Sequence, residues 1–245
     1  MLDGIKRWWS RPPTTAAAVS QPEDLAAWAA ARQCSFRPVR DSEGFVIDGR
    51  LGALPWRLEW GPSQRGYIKG MELRLRAELG LSSDVHALVL DRSLQEAMEH
   101  AVYEQFVEGV QTRIDDQTPP EMRWLVMFPK LGGDVMKSLR ERFTVLGSGE
   151  SFLQPWLEGS LTEALEAMPV AADQPMVLMI ARGRLTLRAA LATPTVLDLQ
   201  HWLRLFETAM REARRVASQI GDASAPSTQP SLWTASALPS DDERP

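Results

Sequence analysis

A chain of 245 residues, 44% hydrophobic and 24% charged, is ordinary for a globular protein and long enough for one large core or two small ones. Its net charge of −5 argues against wholesale binding to nucleic acid or to an anionic membrane. Its apolar runs are too short to span a bilayer, and a single cysteine, Cys34, excludes an internal disulfide.

The chain opens with Lys6 and Arg7 but has no apolar stretch behind them; Pro12, Pro13 and Thr14 follow instead. A secretory signal is therefore not expected, and together with the lone cysteine this points to the cytoplasm. Residues 1–20 read as a flexible lead. Within it Leu2, Ile5, Trp8 and Trp9 would share one side of a short helix, with Lys6, Arg7 and Arg11 beside them. Aromatic and basic residues together suit a membrane interface or a protein groove, so residues 1–11 are the one segment expected to allow membrane contact.

A globular core is expected over 21–220. Ser20 and Glu23 form a capping box ahead of an Ala- and Leu-rich helix that runs to Gln33. Strand patterns follow. Phe45, Ile47, Gly49 and Leu51 alternate with polar residues, as do Trp56, Leu58 and Trp60; Gly61-Pro62 reads as a turn; then Leu73, Leu75, Ala77 and Leu79 alternate with Arg74, Arg76 and Glu78. Such period-two alternation describes antiparallel strands with one buried and one wet face. Val85 to Leu90 is a shorter strand. A second capping box, Ser93 with Glu96, opens a helix whose apolar positions are Leu94, Met98, Val102, Phe106 and Val110.

Residues 111–121, polar and with two prolines, read as a hinge. Met122 to Phe128 reads as a strand, Asp134 to Arg142 as a short helix, Phe143 to Leu146 as a strand, and Ser151 to Met168 as one helix bent at Pro155. Met176–Arg182 and Arg184–Leu191 read as two strands joined at Gly183. Thr195 with Asp198 then opens a long helix over 196–219, striped by Leu199, Trp202, Leu203, Phe206, Met210, Ala213 and Val216. Glu207 with Arg211 and Glu212 with Arg215 are placed to pair on its outer side. Residues 221–245 carry only Leu232, Trp233 and Leu238 as large apolar groups and end near Asp241, Asp242 and Glu243. That composition describes a disordered acidic tail.

The fold class is thus α+β, mainly an antiparallel sheet packed by amphipathic helices. Leu73-Arg74-Leu75-Arg76-Ala77-Glu78-Leu79 also echoes Leu185-Thr186-Leu187-Arg188-Ala189-Ala190-Leu191, which raises two related strand-then-helix halves as an alternative to chance.

Chemistry is sparse. Glu96, His100 and Glu104 share a helix face at metal-ligand spacing, but that face lies opposite the apolar stripe and reads as solvated. His86 and His201 read as structural histidines. A nucleophile elbow of the G-x-S-x-G type is missing. Gly147-Ser148-Gly149-Glu150 lacks the third glycine of a dinucleotide fingerprint, and Gly132 to Ser138 has Met136 where a P-loop needs glycine. Both read as ordinary turns. No metal, cofactor or catalytic residue is assigned, and enzymatic activity is not the favoured expectation.

Arginine is the distinctive element, at 23 residues against 4 lysines, although a GC-rich coding genome is the better explanation of the ratio. By alternation Arg57, Arg74, Arg76, Arg184 and Arg188 all point away from the core. On one sheet they would form a cluster able to grip an acidic partner, unless Glu59, Glu72 and Glu78 neutralise them. The expected function is that of a non-enzymatic accessory or adaptor protein. Its binding residues would be these arginines together with Trp8, Trp9 and Trp233, its partner another protein, with no nucleic acid. The alternatives are an enzyme whose site assembles from dispersed residues, and weak membrane attachment through residues 1–11.

Overall fold

The computed structural model describes residues 21–40, 42–107, 118–169 and 174–224. Trp8, Trp9, Trp233 and most of the expected hinge lie outside them. The first helix, α1 (Pro22–Ala31), begins one residue later than the Ser20–Glu23 box implies. The Gln21 backbone N–H donates to Asp24 at 3.1 Å, and Pro22 fills the first helical position, where a missing N–H costs nothing.

Four strands follow as a meander: β1 (Ser35–Pro38), β2 (Phe45–Leu51), β3 (Leu54–Pro62) and β4 (Met71–Glu78). Gly61 and Pro62 are not a turn. They pair with Glu72 and Met71 and end β3, where proline's missing donor falls at the last rung of the ladder. Gly49 sits among apolar positions because the Trp56 indole lies over it: a Cβ there would stand 2.2 Å from the ring.

The chain continues through β5 (Ala87–Asp91), α2 (Arg92–Val107) and α3 (Pro120–Met127). The expected strand at Met122–Phe128 is therefore a helix, and Trp124 lies on it rather than on a strand. Glu121, Trp124 and Leu125 face inward at helical spacing while Val126 and Met127 are exposed. A seven-residue apolar run does not separate the two periods, and Pro120 at the helix start settles it. Residues 120–121, assigned to the hinge, are the first turn of α3, and Glu121 is fully buried.

After α4 (Gly133–Met136) and a 3-10 segment over Lys137–Glu141 comes β6 (Phe143–Gly147). The helix expected over Ser151–Met168 is two, α5 (Glu150–Leu157) and α6 (Ser160–Glu166). The break is at Gly159, with φ of 71°, and Pro155 lies inside α5. Next come β7 (Met176–Ala181) and β8 (Arg184–Ala190). The two-residue turn between them has positive φ at both Arg182 and Gly183, matching the twist of a tight hairpin. Finally α7 (Val196–Ser224) is capped by Thr195, whose Oγ accepts from the Asp198 N–H at 3.1 Å while Asp198 accepts from the Thr195 N–H at 3.0 Å. It continues through Gly221, so 221–224 belong to the helix rather than to the tail. On its surface Arg215 pairs with Glu212 at 2.7 Å as expected. Glu207 instead reaches Arg32, and Arg211 donates to Thr208.

The eight strands of the described residues form one antiparallel sheet in the order β1-β2-β3-β4-β8-β7-β5-β6. One face carries the main core: Ile47, Trp56, Leu58, Leu73, Leu75, Leu185 and Leu187 lie under α1, α5, α6 and α7. On the other face, α2 and α3 cover only the β5–β6–β7 end, packing Leu94, Met98, Trp124 and Leu125 on Leu88, Leu90, Leu146, Val177 and Met179. Strands β5 and β7, covered on both sides, are correspondingly apolar, apart from the buried Asp91 that ends β5. Among the described residues, no helix lies on the outer face of β2, β3, β4 and β8. Among the described residues, no helix is long and apolar enough to cross a membrane.

The two echoed segments lie side by side. Leu73 pairs with Ala189, Leu75 with Leu187 and Ala77 with Leu185, so equivalent positions of the echo are exchanged about the Leu75–Leu187 pair.

Candidate binding face

Alternation along the four uncovered strands fixes what their outer face displays. Strand β2 contributes Asp48 and Arg50, β3 Arg57 and Glu59, β4 Glu72, Arg74, Arg76 and Glu78, and β8 Arg184, Thr186 and Arg188; Arg37 joins from β1. The five arginines singled out from the sequence are thus on one face. Seven arginines and four carboxylates stand there, a local positive excess on a chain of net charge −5.

The acids are shared. Asp48 accepts from Arg57 Nε at 2.6 Å and also from Arg37. Glu59 is paired with Arg74 at 3.4 Å and Arg76 at 3.2 Å. Glu72, fully buried, takes Arg74 at 3.4 Å and Arg188, with the Gln64 backbone N–H at 2.8 Å. Only Arg184 has an acid to itself, Glu78 at 2.6 Å. Neutralisation is therefore real but incomplete. Burial works to raise the Asp48 carboxyl, yet hydrogen bonds from Arg57 and Arg37 outweigh it and hold the group below its ordinary value.

Exposure divides the arginines. Arg74 and Arg188 keep 15% and 12% of their side chains exposed and serve the sheet, whereas Arg76 and Arg184 keep 51% and 54% and can meet a partner. Arg57 and Arg76 stand directly opposite each other on β3 and β4.

Where the open face meets the α2–α3 layer, the 63–70 loop crosses over and adds a group that alternation does not reveal. Glu121 accepts from Arg65 Nε at 2.7 Å and from the Tyr67 hydroxyl. Burial, then the Glu121 charge, push the Tyr67 phenol far above its ordinary range. Beside this trio, α2 and the loop border a cleft of about 720 Å³ lined by Tyr67, Leu94, Met98, Ala101, Pro120 and Met122.

The other sequence features are dispersed. His86 packs on Trp124 and Phe128, with Nδ1 2.9 Å from the Asp84 carbonyl. His100 is exposed on α2, and His201 lies on α7. Gly147 ends β6 against the His86 carbonyl, and Gly149 leads into α5. Among the described residues, no three His, Cys, Asp or Glu side chains come together as metal ligands.

No protein-family model matches this chain, no curated protein matches its sequence, and no solved structure matches its fold.

Proposed function

We propose that this protein is a non-enzymatic binding protein that uses the open face of β2, β3, β4 and β8 to hold an acidic segment of another polypeptide. One observation carries the reading: Asp48, Glu59 and Glu72 each serve two arginines, so the face has guanidinium capacity left over, with Arg37, Arg76 and Arg184 the most exposed of the paired arginines and Arg57 directly opposite Arg76. Arginine holds carboxylates through two parallel N–H donors, and the sheet presents these groups on a rigid frame. The cytoplasm fits as the location, since the chain has one cysteine and needs no disulfide.

The test is binding of a fluorescein-labelled Glu-rich peptide, followed by anisotropy. The full chain should bind it, and affinity should fall at least tenfold in Arg57→Glu/Arg76→Glu and between low and moderate salt. Equal binding by parent and variant would sink the proposal.

The alternative of an enzyme with a dispersed site draws on the cleft beside Tyr67 and the buried Glu121. It requires a small molecule whose binding to the full chain is lost in Met98→Trp, which would fill the cleft.

A further inference from the structure

A second arginine cluster lies on the opposite side of the molecule from the open face. Where the C-terminal half of α7 passes the β2–β3 turn, a notch of about 410 Å³ is floored by Leu51, Leu54 and Met210 and rimmed by Arg211, Arg214 and Arg215. The rim is unevenly committed. Arg215 is bound to Glu212, Gln219 and the Pro155 carbonyl, and Arg211 donates to Thr208. Arg214 is exposed and has no hydrogen bond or ion pair among the described residues. An apolar floor inside a cationic rim calls for an occupant with a large apolar side chain and acids nearby.

We infer that the occupant is this chain's own C-terminal segment, with Trp233 and Leu232 on the Leu51–Leu54–Met210 floor and Asp241, Asp242 and Glu243 on Arg211 and Arg214. Residues 225–245 lie outside the described residues, but they start close to the notch and contain the groups that match it. Ser218, at the notch, is six residues before Ser224, about 9 Å along the helix. The nine residues 225–233 can span up to about 30 Å, three times what a return to the notch requires. Eight more reach Asp241, so tryptophan and acids can sit at floor and rim together. The segment's acids also complement the rim, whereas the notch would repel a second copy's arginines. Held there, the tail would tie α7 to the β2–β3 hairpin and keep its acids away from other arginines of the chain.

The experiment places a photoreactive p-benzoylphenylalanine at position 233 of the full chain and maps crosslinks by mass spectrometry at low protein concentration. Crosslinks within one chain to the 51–54 turn or to 210–218 are expected. Arg211→Gln/Arg214→Gln and 0.5 M salt should each reduce them at least fivefold. Both arginines are on the surface, and an unchanged thermal melt verifies that the variant is folded. Crosslinks between copies, crosslinks to β4, to β8 or to residues 57–62 of β3, or a pattern indifferent to both arginine replacement and salt would each overturn the inference. The Arg57→Glu/Arg76→Glu variant should leave the crosslinks in place, which separates this site from the open face.

Discussion

Arg74 and Arg188 face each other across the β4–β8 seam, and both donate to the buried carboxylate of Glu72. Two like charges directly opposite on neighbouring strands destabilise a sheet unless something sits between them. Glu72 does so, and it joins the two halves of the sheet by charge as well as by ladder hydrogen bonds.

Replacing it should be costly. Glu72→Ala leaves two mostly buried guanidiniums without their shared acid, and urea unfolding should show a loss of about 3–5 kcal/mol. Glu72→Gln with Arg188→Met removes both sides of the pair and should recover at least half of that. Equal losses in the single and double variants would show that the carboxylate matters for packing alone.

Asp48 gives the open face a pH dependence whose sign follows from its lowered carboxyl. The unfolded chain takes up a proton near the ordinary value of 3.8, and the folded chain only at lower pH, so the stabilisation is complete above about pH 5. It is lost as pH falls through the folded value. Asp48→Asn should therefore cost about 0.5–1 kcal/mol at pH 7, a modest figure because the pair is partly solvated. The gap between variant and parent should narrow as pH falls below 3.8 in denaturant titrations. A gap that does not narrow with falling pH would exclude the ionic origin.

Tyr67 should be silent in an alkaline titration. The chain has two tyrosines, and burial with Glu121 beside it keeps the Tyr67 phenol protonated in the folded state. Tyr67→Phe should thus remove less than about a tenth of the folded protein's phenolate absorbance below pH 11. Because the unfolded chain ionises this phenol near pH 10 and the folded one does not, unfolding gains from every further rise in pH. The parent should therefore lose stability above pH 10 more steeply than the variant.

Gly147 and Gly149 offer a matched pair. A Cβ on Gly147 would stand 2.1 Å from the His86 carbonyl oxygen, which is backbone immediately ahead of β5, whereas one on Gly149 would meet nothing closer than 3.6 Å. Gly147→Ala should cost about 1–3 kcal/mol or more by thermal melting, and Gly149→Ala less than about 1 kcal/mol. If Gly149→Ala were the more damaging, the turn would have a role beyond joining β6 to α5.

The parts of the fold legible in the sequence are those with one wet side. Alternation in β2, β3, β4 and β8 is strict because one face meets α7 and the other meets water, and it placed Arg57, Arg74, Arg76, Arg184 and Arg188 together. The α7 stripe is clear for the same reason. Where apolar residues also stand on the exposed side the pattern blurs: Met122–Phe128 carries them at too many positions to separate 2.0 from 3.6 residues per repeat, Val126 and Met127 being exposed. Strand order was hidden as well, because β4 joins β8 rather than β5. The Arg65–Tyr67–Glu121 group had no local signal, since a loop and a helix 54 residues apart supply it. The sharing of Asp48, Glu59 and Glu72 by two arginines each depends on register, which alternation alone leaves free.

The β4–β8 seam also constrains how the chain reaches this state. Glu72 and Arg188 are 116 residues apart, so β4 emerges from the ribosome long before its neighbour exists. At about 5–20 residues per second, the wait is roughly 5–20 s. For that time the first meander presents Leu73, Leu75 and Ala77 along an unpaired edge, the arrangement most prone to cross-pair with another nascent chain. Arg74 and Arg76, alternating with those apolar residues, place positive charge on that same edge. The arginines that line the finished face are therefore also gatekeepers of the unfinished one, and their loss should lower the yield of native protein during synthesis.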